Sequence, residues 1–308
     1  MFAGLFGLWL GTESTIHGAV TVADRLGVPE FIIGLTVLSV GSDLPELAIA
    51  VDAAIWNLGS GDASDVVVGS ALGSCLGQIG FVLGITGLIG YLALPRKAVY
   101  QQGSVLLGSL VLLAVVGFDG QVTRTEGIVL VVAYAAYLLF LFVEVMVIGE
   151  VLEGRSDSGL ALSLVYLVVG LAIVVGSAEI TVSSAVAVAT TLNVEQSFVA
   201  IIIIGLGSSL PELSISLGAM LKRRATLSVG NLIGSNIFDT LMPIGVAAAI
   251  AGLEFDETMW QQELPFVFGL TSVVLFFFLK KVGIQKFEAT IILSMYVAYV
   301  INEFLGAF

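Results

Sequence analysis

Ten apolar runs, separated by short polar breaks, fill this chain almost from end to end, near residues 3–24, 30–56, 66–91, 98–117, 124–148, 161–190, 196–220, 226–252, 262–280 and 286–306. Each meets the ~20-residue requirement for a helix crossing the hydrocarbon core of a bilayer. The pattern predicts an all-α, polytopic membrane protein with ten transmembrane helices. Polar residues within the runs are few, and they cluster. Gly41-Ser42-Asp43-Leu44-Pro45-Glu46-Leu47 lies in the second run, and Gly207-Ser208-Ser209-Leu210-Pro211-Glu212-Leu213 repeats it in the seventh.

At an offset of 166 residues, positions 41–53 and 207–219 agree at eight of thirteen places, proline and acid included. A proline and an acid repeating in register indicate an internal duplication. The copies stand five runs apart, an odd step, so the two enter the membrane from opposite sides. A second pair of blocks, Val68–Gln78 and Val229–Asp239, aligns at an offset of 161. The chain therefore reads as two inverted five-helix repeats. Residues 1–148 carry motifs at 39–46 and 69–78, residues 161–308 carry motifs at 205–212 and 230–239, and a cytoplasmic linker at 149–160 joins them.

Composition agrees with a membrane protein. Of 308 residues, 58% are hydrophobic and 11% charged, with a mean hydropathy of +1.09, too little polar surface to cover a soluble globule. Met1–Leu10 has no basic n-region and no small-residue cleavage site, so it reads as the start of the first span and not as a leader. Arg25, Arg96, Lys97, Arg155, Lys222, Arg223, Arg224, Lys280, Lys281 and Lys286 fall in alternate loops, and only Arg124 falls in the others. The positive-inside rule places the basic loops in the cytoplasm, which predicts a multi-pass cell-membrane protein with both termini extracellular. A net charge of −13 argues against nucleic acid and anionic lipid as partners and favours cations. The single Cys75 cannot form an internal disulfide and reads as a small packing residue. No cofactor and no obligatory protein partner are evident.

Proline cannot donate a backbone hydrogen bond and disfavours helix in the residue before it, so the second and seventh spans are expected to be broken helices. The break should free carbonyls around Ser39–Gly41 and Gly205–Gly207 and set Glu46 and Glu212 on the first turn of each second half. Asp43 with Glu46, and Ser209 with Glu212, also fit a capping box. An ionised carboxylate at the bilayer centre costs at least ~2.5–3 kcal/mol, however, where a neutral cap would serve for less. Two such acids, with Asp239 as a third, therefore favour an ion site. Ser74 and Ser235 precede Gln78 and Asp239 by one helical turn and share a face with them. Hydroxyl, amide and carboxylate oxygens without His or Cys select hard cations over zinc or copper. No nucleophile and base pair accompanies the acids, which speaks against an enzyme. His17 and the ladder Gly69, Gly73, Gly77, Gly80, Gly84 read as packing features. Glu13 and Glu179 recur at the offset of 166 and could line an ion path or pair across helices.

Gly-Ser-x-Leu-Pro-Glu duplicated in inverted halves, each copy followed by Gly-Ser-Asn-Ile-Phe-Asp or a relic of it, resembles the α-repeats of the cation/calcium antiporter superfamily, within it the sodium/calcium exchanger branch. The resemblance implies that Glu46 and Glu212 are central calcium ligands shared with sodium sites. It further implies that Ser42, Ser208, Ser74, Ser235, Asp239 and carbonyls near Ser39 and Gly205 complete the sites. Asp43 departs from the family's serine, whose counterpart in the second repeat is Ser209, and Gln78 departs from its Asn or Asp. The expected function is secondary active Na⁺/Ca²⁺ antiport by alternating access, with bound Ca²⁺ and Na⁺ as cargo. The alternative keeps the fold and couples to H⁺, K⁺ or another divalent cation such as Mg²⁺, because Asp43 adds a carboxylate. A cation channel is a distant third reading, because channels commonly obtain rings of acids from oligomeric symmetry and this chain builds its pseudo-symmetry internally.

Overall fold

Each of the ten apolar runs contains helix in the computed structural model, which describes residues 1–59, 63–149, 159–191, 205–255, 257, 259–281 and 283–306. The first half holds α1 (Phe2–Leu26), α2a (Glu30–Ser42), α2b (Leu44–Asn57), α3 (Ser64–Ile89), α4 (Arg96–Val116) and α5 (Arg124–Gly149). The second half holds α6 (Leu160–Thr191), α7a (Gly205–Ser208), α7b (Leu210–Leu221), α8 (Ala225–Ala251), α9 (Met259–Lys281) and α10 (Lys286–Gly306). Six of these (α3, α4, α5, α6, α8 and α9) are individually long and apolar enough to cross a bilayer, and α2a with α2b forms a seventh candidate across a 44° bend. α1 and α10 match them in length but carry more polar residues, among them Glu13, His17, Glu288 and Glu303. Most of the expected linker, and the start of the seventh apolar run, lie outside the described residues.

Helix ends follow local chemistry. α1 stops at Leu26 because Gly27 takes the left-handed conformation at φ 67°, its N–H closing on the Ala23 carbonyl. Pro29 and Pro95 stand immediately before α2a and α4, where the missing N–H leaves no intrahelical bond unmade.

Two apolar clusters organise the packing. The larger gathers α2 to α5 and α7b to α10, with Leu232, Ile237, Phe238, Ile244 and Ala247 of α8 at its centre. The smaller joins Ile33 and Leu38 of α2a, Ile215 and Ala219 of α7b and Leu227 of α8 to two facing helices, α1 (Leu8, Ile16, Ala19) and α6 (Leu167, Val174). These two helices run antiparallel at very short range. A Cβ on Gly18 would lie 2.5 Å from the Leu167 nitrogen, and one on Gly170 would lie 2.5 Å from the Thr15 nitrogen. Only glycine permits so close a backbone approach.

Two miniature antiparallel sheets tie the halves together. β1 (Leu92–Ala93), after α3, pairs with β4 (Gly283–Ile284), after α9; β2 (Gln121–Val122), after α4, pairs with β3 (Leu253–Glu254), after α8. The offset of 161 that aligns the second motif also carries β1 onto β3, and β2 maps onto β4 within one residue. That one offset therefore carries one sheet onto the other. β1 and β4 flank the basic residues Arg96, Lys97, Lys280, Lys281 and Lys286, and β2 and β3 flank Asp119 and Glu254, so same-charge loops share a side.

Candidate cation site

The breaks in spans two and seven occur at single residues. Asp43 sits at φ −94°, ψ 6° and Ser209 at φ −86°, ψ 9°, the sparsely populated bridge region, between two helical segments in each case. Pro45 and Pro211 each stand one residue into the second segment, where they lack the N–H that would have met the carbonyls of Gly41 and Gly207. Neither Asp43 nor Ser209 makes a side-chain cap bond, so the capping box is not formed. The Asp43 carboxylate accepts from Ser42 Oγ at 3.3 Å through Oδ1, and its Oδ2 has no partner.

The breaks bring both motifs to one point. Ser39, Ser42, Asp43, Gln78, Glu212, Ser235 and Asp239 are fully shielded, and Glu46, Ser74 and Ser209 are nearly so. Asp43 faces Glu212, Glu46, Asp239 and Ser235; Glu46 faces Glu212; and Asp239 faces both glutamates. No described Lys, Arg or His is among the groups acting on these four acids. Both carboxylate oxygens of Glu212 lack a hydrogen-bond partner, as do Glu46 Oε2, Asp239 Oδ1 and the hydroxyls of Ser74, Ser209 and Ser235. Buried polar atoms are nearly always paired in folded proteins. So dense a set of unpaired oxygens has a physical explanation if a cation is their partner. Among the described residues no group of three or more His, Cys, Asp or Glu side chains already stands at metal-binding geometry. A cation here must draw on hydroxyl and main-chain oxygens as well as carboxylates.

Gln78 joins the halves by donating from Nε2 to Asp239 Oδ2 at 2.9 Å and accepting at Oε1 from Asn236 Nδ2 at 2.8 Å. It lies in a π-helical stretch, Gly77–Val82, and a second such stretch, Gly34–Leu38, precedes the break in α2. Such widened turns recur at functional sites because they take carbonyls out of the regular ladder. The Ser39 carbonyl, expected to be free, accepts from the Asp43 N–H at 3.1 Å and from Ser42 Oγ at 3.2 Å. Only the second, longer bond is replaceable without disturbing the backbone. Ser208 stands beside the break, half-buried, and Gly205 opens α7a.

Residues outside the cluster are placed as follows. Glu13 pairs with Lys222 at 2.6 Å and Glu179 is exposed, so neither reaches the site. Exposed His17 packs edge-on against Tyr166 with ring centroids 5.5 Å apart. Glu144 accepts from Gln101 at 2.9 Å. Cys75 is buried against α8, its sulfur 3.7 Å from the Asn236 carbonyl. The glycine ladder of α3 divides. Gly80 and Gly84 pack on Tyr296 and Leu293 of α10 and Gly77 on Ser209, but Gly73 meets nothing. Asn236, which positions Gln78, was missed as a site residue although it lies within the second motif.

A sequence model of the sodium/calcium exchanger protein family matches the chain twice, at residues 1–143 and 162–305. A membrane protein of Methanocaldococcus jannaschii is 29% identical over 98% of this chain and 96% of its own length. The sodium/calcium exchanger MaX1 of Methanosarcina acetivorans is 26% identical over 99% of this chain and 97% of its own. Among solved structures, the sodium-calcium exchanger NCX_Mj, soaked with Na⁺, superposes with a TM-score of 0.82 at 27% identity, covering 96% of this chain and 95% of that one.

Proposed function

The chain belongs to the sodium/calcium exchanger family, and we infer that it is a secondary active antiporter that exchanges Na⁺ for Ca²⁺ across a membrane. The observation that carries this reading is the cluster of shielded, unpaired carboxylate and hydroxyl oxygens where α2, α3, α7 and α8 meet. Ca²⁺ takes six to eight hard oxygens, at roughly 2.3–2.6 Å. We assign Glu46 and Glu212 as its shared carboxylate ligands, with Ser42, Ser208, Ser209 and Ser74 and the main-chain oxygens of Ser39 and Gly205 around them. The Ser39 carbonyl takes part by releasing its long bond to Ser42. Asp239, held by Gln78, and Ser235 complete the sodium positions beside the calcium ligands.

The reading extends to topology. Ten membrane crossings in two inverted halves, residues 1–148 and 161–308, place the site near the midplane. The basic loops lie in the cytoplasm and both termini outside, as the distribution of Lys and Arg requires. Because four acids face one another shielded from water with no described basic partner, cargo must bind before the shielded state is favourable, which couples movement to occupancy. α1 and α6 pack in a small apolar cluster apart from the larger core, against Ile33 and Leu38 of α2a and Ile215 and Ala219 of α7b, so their displacement as a pair would open the site by sliding over the two broken helices. The protein makes and breaks no covalent bond. In the decisive experiment the purified protein is reconstituted into Na⁺-loaded liposomes and ⁴⁵Ca²⁺ uptake is followed. Uptake should require the outward Na⁺ gradient, and uptake indifferent to that gradient would refute antiport.

A further inference from the structure

Polar groups fasten α1 to α7b away from the ion site. Thr12 Oγ1 and Ser214 Oγ stand 2.5 Å apart, and Lys222 Nζ, at the C-terminal end of α7b, reaches Glu13 Oε1 at 2.6 Å. Gly218 lies between these contacts and makes room for α1, since a Cβ there would fall 2.4 Å from Thr12 Cγ2 and 3.0 Å from Ile16 Cδ1. Ser214, Gly218 and Lys222 follow one another at four-residue steps, so they form a single stripe along the helix. Neither Glu13 nor Lys222 is among the groups acting on the four acids of the site.

The other repeat cannot make the same contact. At the offset of 166, Thr12 and Glu13 become Ala178 and Glu179, while Ser214, Gly218 and Lys222 become Ala48, Asp52 and Trp56. Seating α6 on α2b in the same way would set alanine against alanine, with no hydrogen bond. It would offer Glu179 an indole in place of an ammonium group. It would also put the Asp52 side chain where Gly218 leaves space, on the helix that faces Glu179, so like charges would meet. In a transporter of inverted repeats, alternating access moves one repeat or bundle against the other. Contacts of α1 with α7b in one end state then have their counterpart between α6 and α2b in the other. A neutral hydrogen bond and a partly exposed ion pair each change such an equilibrium by a factor of about two to five.

Building on the exchange reading above, we propose that Thr12, Glu13, Ser214 and Lys222 form a clasp that exists in only one end state of the transport cycle and biases the exchanger toward it. The clasp opens each time α1 and α6 slide over the broken helices. A face whose binding-competent state is depleted needs proportionally more Ca²⁺ for half-saturation. The clasp therefore makes the two faces of the membrane unequal in their demand for Ca²⁺ without touching the ion site.

Na⁺-driven ⁴⁵Ca²⁺ uptake is measured against Ca²⁺ concentration in right-side-out and in inverted membrane vesicles. Lys222→Gln and Glu13→Gln should each move the half-saturating concentration by about threefold, upward at one face and downward at the other. The exchanged pair, Glu13→Lys with Lys222→Glu, should return both values toward wild type. A shift in the same sense at both faces, at one face only or at neither overturns the proposal. Thr12→Cys with Ser214→Cys in a Cys75→Ser background gives a second arm. Oxidation should join α1 to α7b and stop uptake, and reductant should restore it. Uptake that continues in the crosslinked protein, or cysteines that do not join, also overturns the proposal. Failure of the exchange reading is distinguishable, since the wild type would then show no Na⁺-gradient-driven uptake in vesicles of either orientation.

Discussion

Replacing Glu212 with Gln tests the site most directly, because it removes one charge while nearly preserving shape. Glu212 is fully shielded and both its carboxylate oxygens are unpaired, so no protein bond is broken by the change. Breaking a buried ion pair by removing one partner costs about 3–5 kcal/mol. At about 1.4 kcal/mol per decade, that corresponds to a loss of between two and four powers of ten in Ca²⁺ affinity. Stability of the empty protein should move the other way or stay constant, because one of four mutually facing acids is neutralised. Two assays separate these effects. ⁴⁵Ca²⁺ uptake into Na⁺-loaded liposomes should fall to background. The thermal midpoint in cation-free buffer should not drop, while the rise on adding Ca²⁺, worth about 2.7 kcal/mol for wild type at a hundredfold excess over Kd, should vanish. Near-normal uptake would refute the ligand assignment. A marked loss of stability without Ca²⁺ would show that Glu212 is a structural residue.

Further consequences can be checked separately. Gly18→Val forces side-chain atoms into the α6 backbone at Leu167 and should destabilise by about 1–3 kcal/mol, read as a lower thermal midpoint; an unchanged midpoint would contradict the close α1 and α6 contact. Leu92 and Ile284 are register partners, so the pair Leu92→Cys and Ile284→Cys in a Cys75→Ser background should crosslink on mild oxidation, and failure to do so would deny the inter-repeat tie. Single cysteines at Lys97 or Lys222 should react with impermeant thiol reagents from the cytoplasmic side only, and one at Phe118 from outside only; the reverse pattern would invert the topology.

The helices and the polar motifs were legible because they depend on local chemistry. Uninterrupted apolar runs of bilayer length can only be helix or buried strand, and Pro45 and Pro211 each remove a backbone donor where the helix then breaks. The position of that break, at Asp43 and Ser209 and not among the glycines upstream, follows from the residue before Leu-Pro being the last that can leave the ladder without a further lost bond. Other features were illegible because they reside in pairs of distant segments. Gly4, Gly7, Gly11 and Gly18 are spaced on one face of α1 as packing glycines are, yet only the structure shows that they meet α6. The motif residue Asn236 looked like any buried amide until Gln78 was found against it. Glu13 pairs across helices with Lys222, one of the two roles its recurrence suggested. Its recurrence as Glu179 suggested a shared role, but Lys222 has no basic counterpart at Trp56, so the two glutamates inherit position without inheriting a partner.

Duplicated segments here converge on geometry more than on residues. Around Gln78, α3 widens into a π-helical turn, Gly77–Val82; an offset of 161 carries Val82 onto Pro243, which stands inside an otherwise regular α8. The two devices act on carbonyls at aligned positions: that of Gln78 accepts from Leu83, five residues on, and that of Asp239 loses its donor. Proline at 243 has no N–H for the carbonyl four residues earlier, which is that of Asp239. A π turn likewise displaces a carbonyl from its usual partner, here within the turn that holds Gln78. Each half therefore loosens the ladder beside its own motif residue, one by sequence chemistry that can be read directly and the other by a packing-dependent distortion that cannot. If the loosening serves the site, Pro243→Ala should restore the bond to Asp239 and stiffen α8. Stability should then be equal or higher, because proline in a helix interior costs about 3 kcal/mol, while Ca²⁺ uptake slows. A variant that gains stability and exchanges at the wild-type rate would show that Pro243 is tolerated and not used.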